Sequence, residues 1–283
     1  MSRLLSYAVR FFLSFLPVQS RHASITPLEN RNTSLVILAN GPGLNQYIEA
    51  SPEPESGTDF MCVNLFALNS HFEFFKPRHY VIFDPLFVVG LEDPDSVASR
   101  VFRTICEKLT WSMTLYIPLR FKGYEAKIEN LVSSEKLHII YFRDAGFPLD
   151  GGAISLWLME HQVIMPRAQN VMVAAIYVGV LLGYSRIFLE GADHSWHKYL
   201  HLNSENKLMI KDVHFYDGNP KMTPLLKDSE NRVHFSVEDI FRAYYLLHKS
   251  YKVLARIAIR KNVRVINRTP DSFIDAFEKG GRS

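Results

Sequence analysis

Four short stretches of this chain carry residue types that can do chemistry. Residues 35–44 form an apolar run that stops at Asn40-Gly41-Pro42-Gly43. Such a run reads as a strand feeding a tight turn. Its glycines let the backbone come close to a ligand, and the next helix aims unpaired N–H groups and its positive end at an anion. The turn lacks the third glycine of a dinucleotide fingerprint and the Lys-Ser/Thr of a P-loop, which weakens NAD-type and ATP-type readings. A second stretch, Glu190-Gly191-Ala192-Asp193-His194, also ends an apolar run. Asp193, His194 and Ser195 are neighbours in sequence, whereas a hydrolytic triad is defined by spatial convergence, so Asp193 is expected to bond backbone or a ribose. Third, His234 precedes Ser236-Val-Glu-Asp239, the spacing of a capped helix start. An imidazole there is suited to accept a hydroxyl proton near neutral pH. Fourth, Asp93-Pro-Asp95 has the Asp-x-Asp form that can hold a divalent ion, and equally the form that caps a helix beginning near Ser96; capping is the expectation. His194, His197 and His201 have no convincing ligand spacing, so no metal is expected. These stretches point to nucleotide-dependent group transfer.

The elements that must position them follow from apolar patterning. Short strands are expected at 35–39, 59–63, 79–83, 114–117, 138–142, 186–189 and 263–266. Residues 169–183 are apolar on nearly every side, the mark of a helix buried against a sheet and too short to span a bilayer. A long helix is expected over 236–262 and a closing helix over 270–277. The alternation implies an α/β fold, a doubly wound, mostly parallel Rossmann-like sheet over residues 34–283, with a polar lid at about 195–230. In such sheets ligands sit beyond the carboxyl ends of the strands, so Asn40, Asn64, Asp84 and Asp193 would share one rim.

Composition bounds the setting. The chain has 283 residues, two cysteines (Cys62 and Cys106) and a net charge of +3. Two cysteines are too few for a disulfide framework, which favours a reducing, cytoplasmic compartment. No nucleic-acid partner is expected. Positive charge is nonetheless local: Arg242, Lys249, Lys252, Arg256, Arg260, Lys261, Arg264 and Arg268 fall in 241–270 without an acid. Residues 1–21 interleave Arg3, Arg10 and Arg21 with apolar side chains, a basic amphipathic tail followed by a linker up to residue 33. Both segments suit an anionic membrane surface, so a peripheral position on the inner membrane is expected.

Taken in order, Leu38-Ala-Asn-Gly-Pro-Gly-Leu44, Met61-Cys-Val-Asn-Leu-Phe66, Phe83-Asp-Pro-Leu-Phe87, the stretch from Leu182 to Asp193, His234 with its helix, and Asn267-Arg-Thr-Pro-Asp-Ser-Phe273 resemble the bacterial sialyltransferases of glycosyltransferase family 42. More loosely the chain resembles the DUF115 (MptE-like) group, which includes flagellin-modifying glycosyltransferases and a pterin pyrophosphokinase. The first resemblance implies a single GT-A-like nucleotide-binding domain that transfers a sugar, sialic acid or another nonulosonic acid, from a CMP-sugar. The acceptor would be a glycan or glycolipid hydroxyl in lipopolysaccharide or capsule synthesis, with no cofactor or divalent metal required. It implies His234 as general base and Tyr199 near the leaving phosphate. It implies CMP contacts from Asn40 and Asn64; Gly41, Pro42 and Gly43 of the same turn, Asp84, Gly191 and Asp193 at strand ends, and Asn170 before the buried helix complete the expected donor-binding set. Two departures stand out: Ser195-Trp196 replace an expected tyrosine, and Gln169-Asn170-Val171 replace a Ser/Thr-Ser-Gly segment. The alternatives are ATP-dependent pyrophosphoryl transfer of the MptE-like type and a non-catalytic nucleotide- or glycan-binding module. Donor sugar, linkage and homo-oligomeric state stay open.

Overall fold

The structure is a computed structural model that describes residues 24–29, 33–50, 57–132, 134–147, 152–211, 222–228 and 233–281. The expected amphipathic tail at 1–21 lies outside them, as do parts of the linker and lid. Its centre is an eight-stranded sheet built from β1 (Ser34–Leu38), β2 (Thr58–Val63), β3 (His79–Val81), β4 (Met113–Pro118), β5 (Leu137–Phe142), β8 (Arg186–Glu190), β14 (Arg264–Asn267) and β15 (Glu278–Lys279). Every pairing in it is parallel, in the order β15-β14-β8-β1-β2-β3-β4-β5. The fold is therefore doubly wound and Rossmann-like. The central strand β1 is buried along its whole length, which is why it reads as an uninterrupted apolar run.

Helices cover both faces. On one, α1 (Gly43–Ala50), α2 (Val97–Lys108) and α3 (Glu125–Leu131) pack over a core that includes Leu38, Phe66, Tyr80 and Phe102. On the other, α4 (Ala153–Glu160), α5 (Val171–Leu182) and α6 (Val237–Arg260) pack over Leu35, Ile37, Val173 and Leu254. Helix α5 buries all of its residues except Val171, so it shows almost no amphipathic stripe. It lies close on the sheet because Gly179 has no side chain; a Cβ there would meet Leu35 Cδ2 at 3.0 Å and Ile187 Cδ1 at 3.1 Å. Gly183, in the left-handed region at φ 82°, ends it.

Between α3 and α5 the short strands β6 (Gly146–Phe147) and β7 (Met165–Pro166) pair and throw α4 outward as an excursion. The described residues of the lid segment carry regular structure. It contains a 3-10 turn (Trp196–Tyr199), a three-stranded antiparallel sheet of β9 (Leu200–Leu202), β10 (Leu208–Lys211) and β11 (Met222–Pro224), and a hairpin of β12 (Leu226–Asp228) with β13 (Val233–His234).

Several local expectations change or sharpen. Residues 272–275 carry no regular structure and are not helical. Side chains and tertiary contacts claim the backbone groups that a helix would need: Phe273 N–H donates to Asp193 O at 2.8 Å, Ile274 N–H reaches Ser272 Oγ at 3.3 Å, and Ser272 Oγ donates to Ala192 O at 2.5 Å. The Asp93-Pro-Asp95 stretch is a turn, with Asp95 N–H bonded to Asp93 Oδ1 at 2.9 Å, and Ser96 caps α2 through Ser99 N–H. His197 lies in the 3-10 turn and His201 in β9, so the three histidines share no helix. Ser236 and Asp239 form the reciprocal capping box at the start of α6. No helix among the described residues is long and apolar enough to cross a membrane.

Candidate functional site

The strand order reverses direction at β1 and β8, and the turns that follow these two strands run side by side. Ala39 N–H donates to Glu190 O at 2.9 Å and Gly41 N–H to Gly191 O at 3.0 Å. Beyond this switch point opens a cavity of about 560 Å³, where doubly wound sheets take their ligands. Its wall holds Asn40, Gly41, Pro42, Asn64, Asp84, Asn170, Gly191, Asp193 and Tyr199, each expected from sequence. It also holds Arg120, Asp144, Arg167, His194 and Trp196, which lie outside that set.

The glycine turn does something other than expected. Gly43 N–H, at the start of α1, points at both carboxylate oxygens of Asp193, each at 3.1 Å. A Cβ on Gly41 would lie 2.1 Å from Asp193 Oδ2 and 2.5 Å from Gly191 O, and one on Gly43 would lie 2.8 Å from Asp193 Oδ1. These glycines let the backbone approach the protein's own carboxylate, and the positive end of α1 is occupied by Asp193. Burial raises the pKa of Asp193; the Gly43 N–H pulls it down, and Asp271 pushes it up.

The 191–194 turn is braced by the loop after β14. Thr269 Oγ1 accepts from Ala192 N–H at 2.9 Å, and Asn267 Nδ2 donates to Ser272 Oγ at 2.8 Å. The Asn267 to Phe273 stretch thus serves the site from behind.

Three amides shape the wall. Asn64 stands in the left-handed region at φ 47°, and its Oδ1 accepts from Phe83 N–H at 3.3 Å. Asn40 Nδ2 donates to Val63 O at 3.2 Å, while its buried Oδ1 has no donor among the described residues. Asn170 caps α5 by accepting from Val173 N–H at 3.3 Å, and its Nδ2 lies 2.9 Å from His194 Nε2. Tyr251 OH lies 2.5 Å from the same nitrogen. With the amide nitrogen donating, Nε2 of His194 is an acceptor and the ring is neutral. Burial holds its pKa down at about 3, against an opposing pull from the Ala192 backbone.

The start of α5 opens on the cavity through Asn170, Val171 and Met172, and Arg167 lines the same wall. Arg120 pairs with Asp144, donates to Phe83 O at 2.7 Å and lies over the Phe83 ring. Asp84 is the exposed carboxylate of the wall. Among the described residues no group of three or more His, Cys, Asp or Glu is placed to hold a metal ion.

His234 is elsewhere. It pairs with Leu226 in the lid hairpin and is not among the residues lining the cavity. Its half-buried ring leaves Nδ1 without a partner among the described residues. His194 lies within a stretch already singled out, though with no donor-binding role expected of it, and Arg167 sits two residues before the apolar segment that begins at Gln169. Arg120 and Asp144 follow β4 and β5 at the strand ends, which is the one signal that could have found them.

Fold and site define a doubly wound α/β protein with an open cleft at the switch point of its sheet. No protein-family model and no curated protein matches the chain.

Proposed function

We propose that this protein is a glycosyltransferase that moves a sugar, sialic acid or another nonulosonic acid, from a CMP-sugar to a glycan hydroxyl in bacterial surface polysaccharide synthesis. The observation that carries the reading is the buried Oδ1 of Asn40 in the cavity wall, an acceptor with no donor among the described residues. A buried acceptor left unpaired costs about 1–3 kcal/mol. The exocyclic amine of cytosine is a donor of the right kind to remove that cost, while the free uracil ring offers only its N3–H. The resemblance to family 42 supports the same assignment.

The charged part of the donor belongs at the start of α5, where Val171 and Met172 line the cavity beside Arg167, because Asp193 already holds the start of α1. Tyr199, also in the wall, is the hydroxyl assigned to the leaving phosphate. A nucleoside monophosphate can depart without a metal when hydrogen-bond donors meet its growing charge. The acceptor's proton is assigned to His234 on the resemblance, with Asp84 as the alternative on the cavity's own wall.

The test is calorimetry with CMP, UMP and ATP, followed by assay of CMP release from CMP-sugars. CMP is expected to bind best, and Asn40→Ala to weaken it about tenfold, the worth of one hydrogen bond. Absence of CMP binding would refute the reading. His234→Ala is expected to lower turnover by about 10²–10⁴-fold; if Asp84→Asn takes that loss instead, the base is reassigned and sugar transfer stands. Pyrophosphoryl transfer from ATP would instead need Mg²⁺ on Asp84, and activity abolished by a chelator would favour it.

A further inference from the structure

Helix α4 is carried outward from the cavity wall. Its flanking strands β6 and β7 pair with each other, and Gly146 and Arg167 at the two ends of the excursion line the cavity. The outer side of α4 shows Ile154 and Trp157, one turn apart and 78% and 50% exposed, with the His161 ring 4.3 Å from the indole. Single exposed apolar side chains are ordinary; an isoleucine and a tryptophan on one turn form a patch that water covers poorly. Tryptophan in particular is favoured where an apolar phase meets a wet one.

Helix α6 runs alongside. Arg260 pairs with Glu160, and Ser250 Oγ donates to Arg167 O at 2.7 Å. Arg242, Lys249, Arg256 and Arg260 follow one another at steps of 7, 7 and 4 residues and so share one stripe of the helix. From residue 240 to its end α6 has no acid, and the one acid of α4, Glu160, already faces Arg260. Lys252 lies off that stripe and pairs with Asp275. The described chain also begins at this end of the molecule. Ile25 N–H donates to Gln162 Oε1 at 2.7 Å and Gln162 Nε2 donates to Ile25 O at 2.8 Å, just past α4. Residues 1–23, upstream of Ser24, include Arg3, Arg10 and Arg21, are rich in Leu and Phe, and contain no acid.

We infer that the outer face of α4, beside the positively charged stripe of α6, docks on an anionic lipid bilayer, with Ile154 and Trp157 entering the interface. The patch, the sign of the charge beside it and the place where a basic, apolar segment leaves the described chain all favour a lipid surface over a protein partner. Because α4 springs from the cavity wall, docking sets the cavity rim beside the bilayer. The inference stands independently of sugar transfer.

The experiment is co-sedimentation of the full chain with vesicles of phosphatidylcholine alone and of phosphatidylcholine with phosphatidylglycerol. Binding is expected to the anionic vesicles and to weaken with added salt. Ile154→Ser with Trp157→Ser should reduce it at least about tenfold through lost apolar burial, and Arg242→Gln with Arg256→Gln should reduce it on anionic vesicles. Neither pair lines the cavity; an unchanged circular dichroism spectrum and urea midpoint control for an intact fold, which keeps this test separate from that of the transfer reading. No binding to anionic vesicles would overturn the inference. So would unchanged binding by the Ile154/Trp157 variant, which would leave the upstream segment as the sole anchor. A wild-type dimer that becomes monomeric in that variant by light scattering would overturn it too, by showing a second copy on this face.

Discussion

Acid should loosen this protein well before its carboxylates titrate, and two buried histidines set the amount. His79 is 2% exposed, with Tyr184 OH 2.7 Å from its Nε2, and His194 is 7% exposed, held by Tyr251 and Asn170. Burial holds both near pKa 3, with Arg78 adding to the effect at His79. In the unfolded chain a histidine titrates at about 6.5. Between those values the unfolded state binds more protons than the folded one, so stability falls as pH drops through 6.5 and continues to fall to about 3. At pH 5 each ring costs about 2 kcal/mol relative to neutral pH, so the pair together costs about 4 kcal/mol. Burial depresses His248 in the same sense. Urea unfolding at pH 7, 6 and 5 measures the slope. His79→Asn, though less stable at pH 7, should lose about 2 kcal/mol less than wild type over that interval. If wild type and variant lose equal stability from pH 7 to 5, the burial argument for His79 is wrong.

Gly41→Ala should cost about 1–3 kcal/mol, the usual penalty for overpacking, because the added Cβ falls 2.1 Å from Asp193 Oδ2; chemical denaturation measures it, and an unchanged midpoint would deny the close approach. Tyr251→Phe strips a hydroxyl from His194 Nε2 and should cost about 1–2 kcal/mol, read in the same assay, with Asn170 left as the remaining partner of that nitrogen.

The sequence reveals the frame through its most buried parts. Strand β1 and helix α5 are enclosed on all sides, so their apolar runs survive without interruption, and the Ser236 and Asp239 pair marks the start of α6 because capping is a local event. The segment at 270–277 misleads because its hydroxyls and amides reach across to Ala192 and Asp193, partners some eighty residues away that no local pattern contains. The lid sheet is missed for a related reason: β9, β10 and β11 are three or four residues long, too short for alternation to register. Asn40, Asn64, Asp84 and Asp193 are legible because strand ends in a parallel sheet converge. Arg120 and Arg167 are not, since nothing local separates an arginine facing a cleft from one facing water. The glycine turn carries a subtler lesson: Asn-Gly-Pro-Gly looks the same whether its close neighbour is a ligand or, as here, the carboxylate of Asp193.

That internal clasp has a thermodynamic corollary. A turn whose amide already has a carboxylate partner needs no guest to settle its shape. An occupant of the cleft therefore spends none of its affinity on arranging that stretch of backbone. The heat-capacity change on binding should then carry no contribution from ordering that turn.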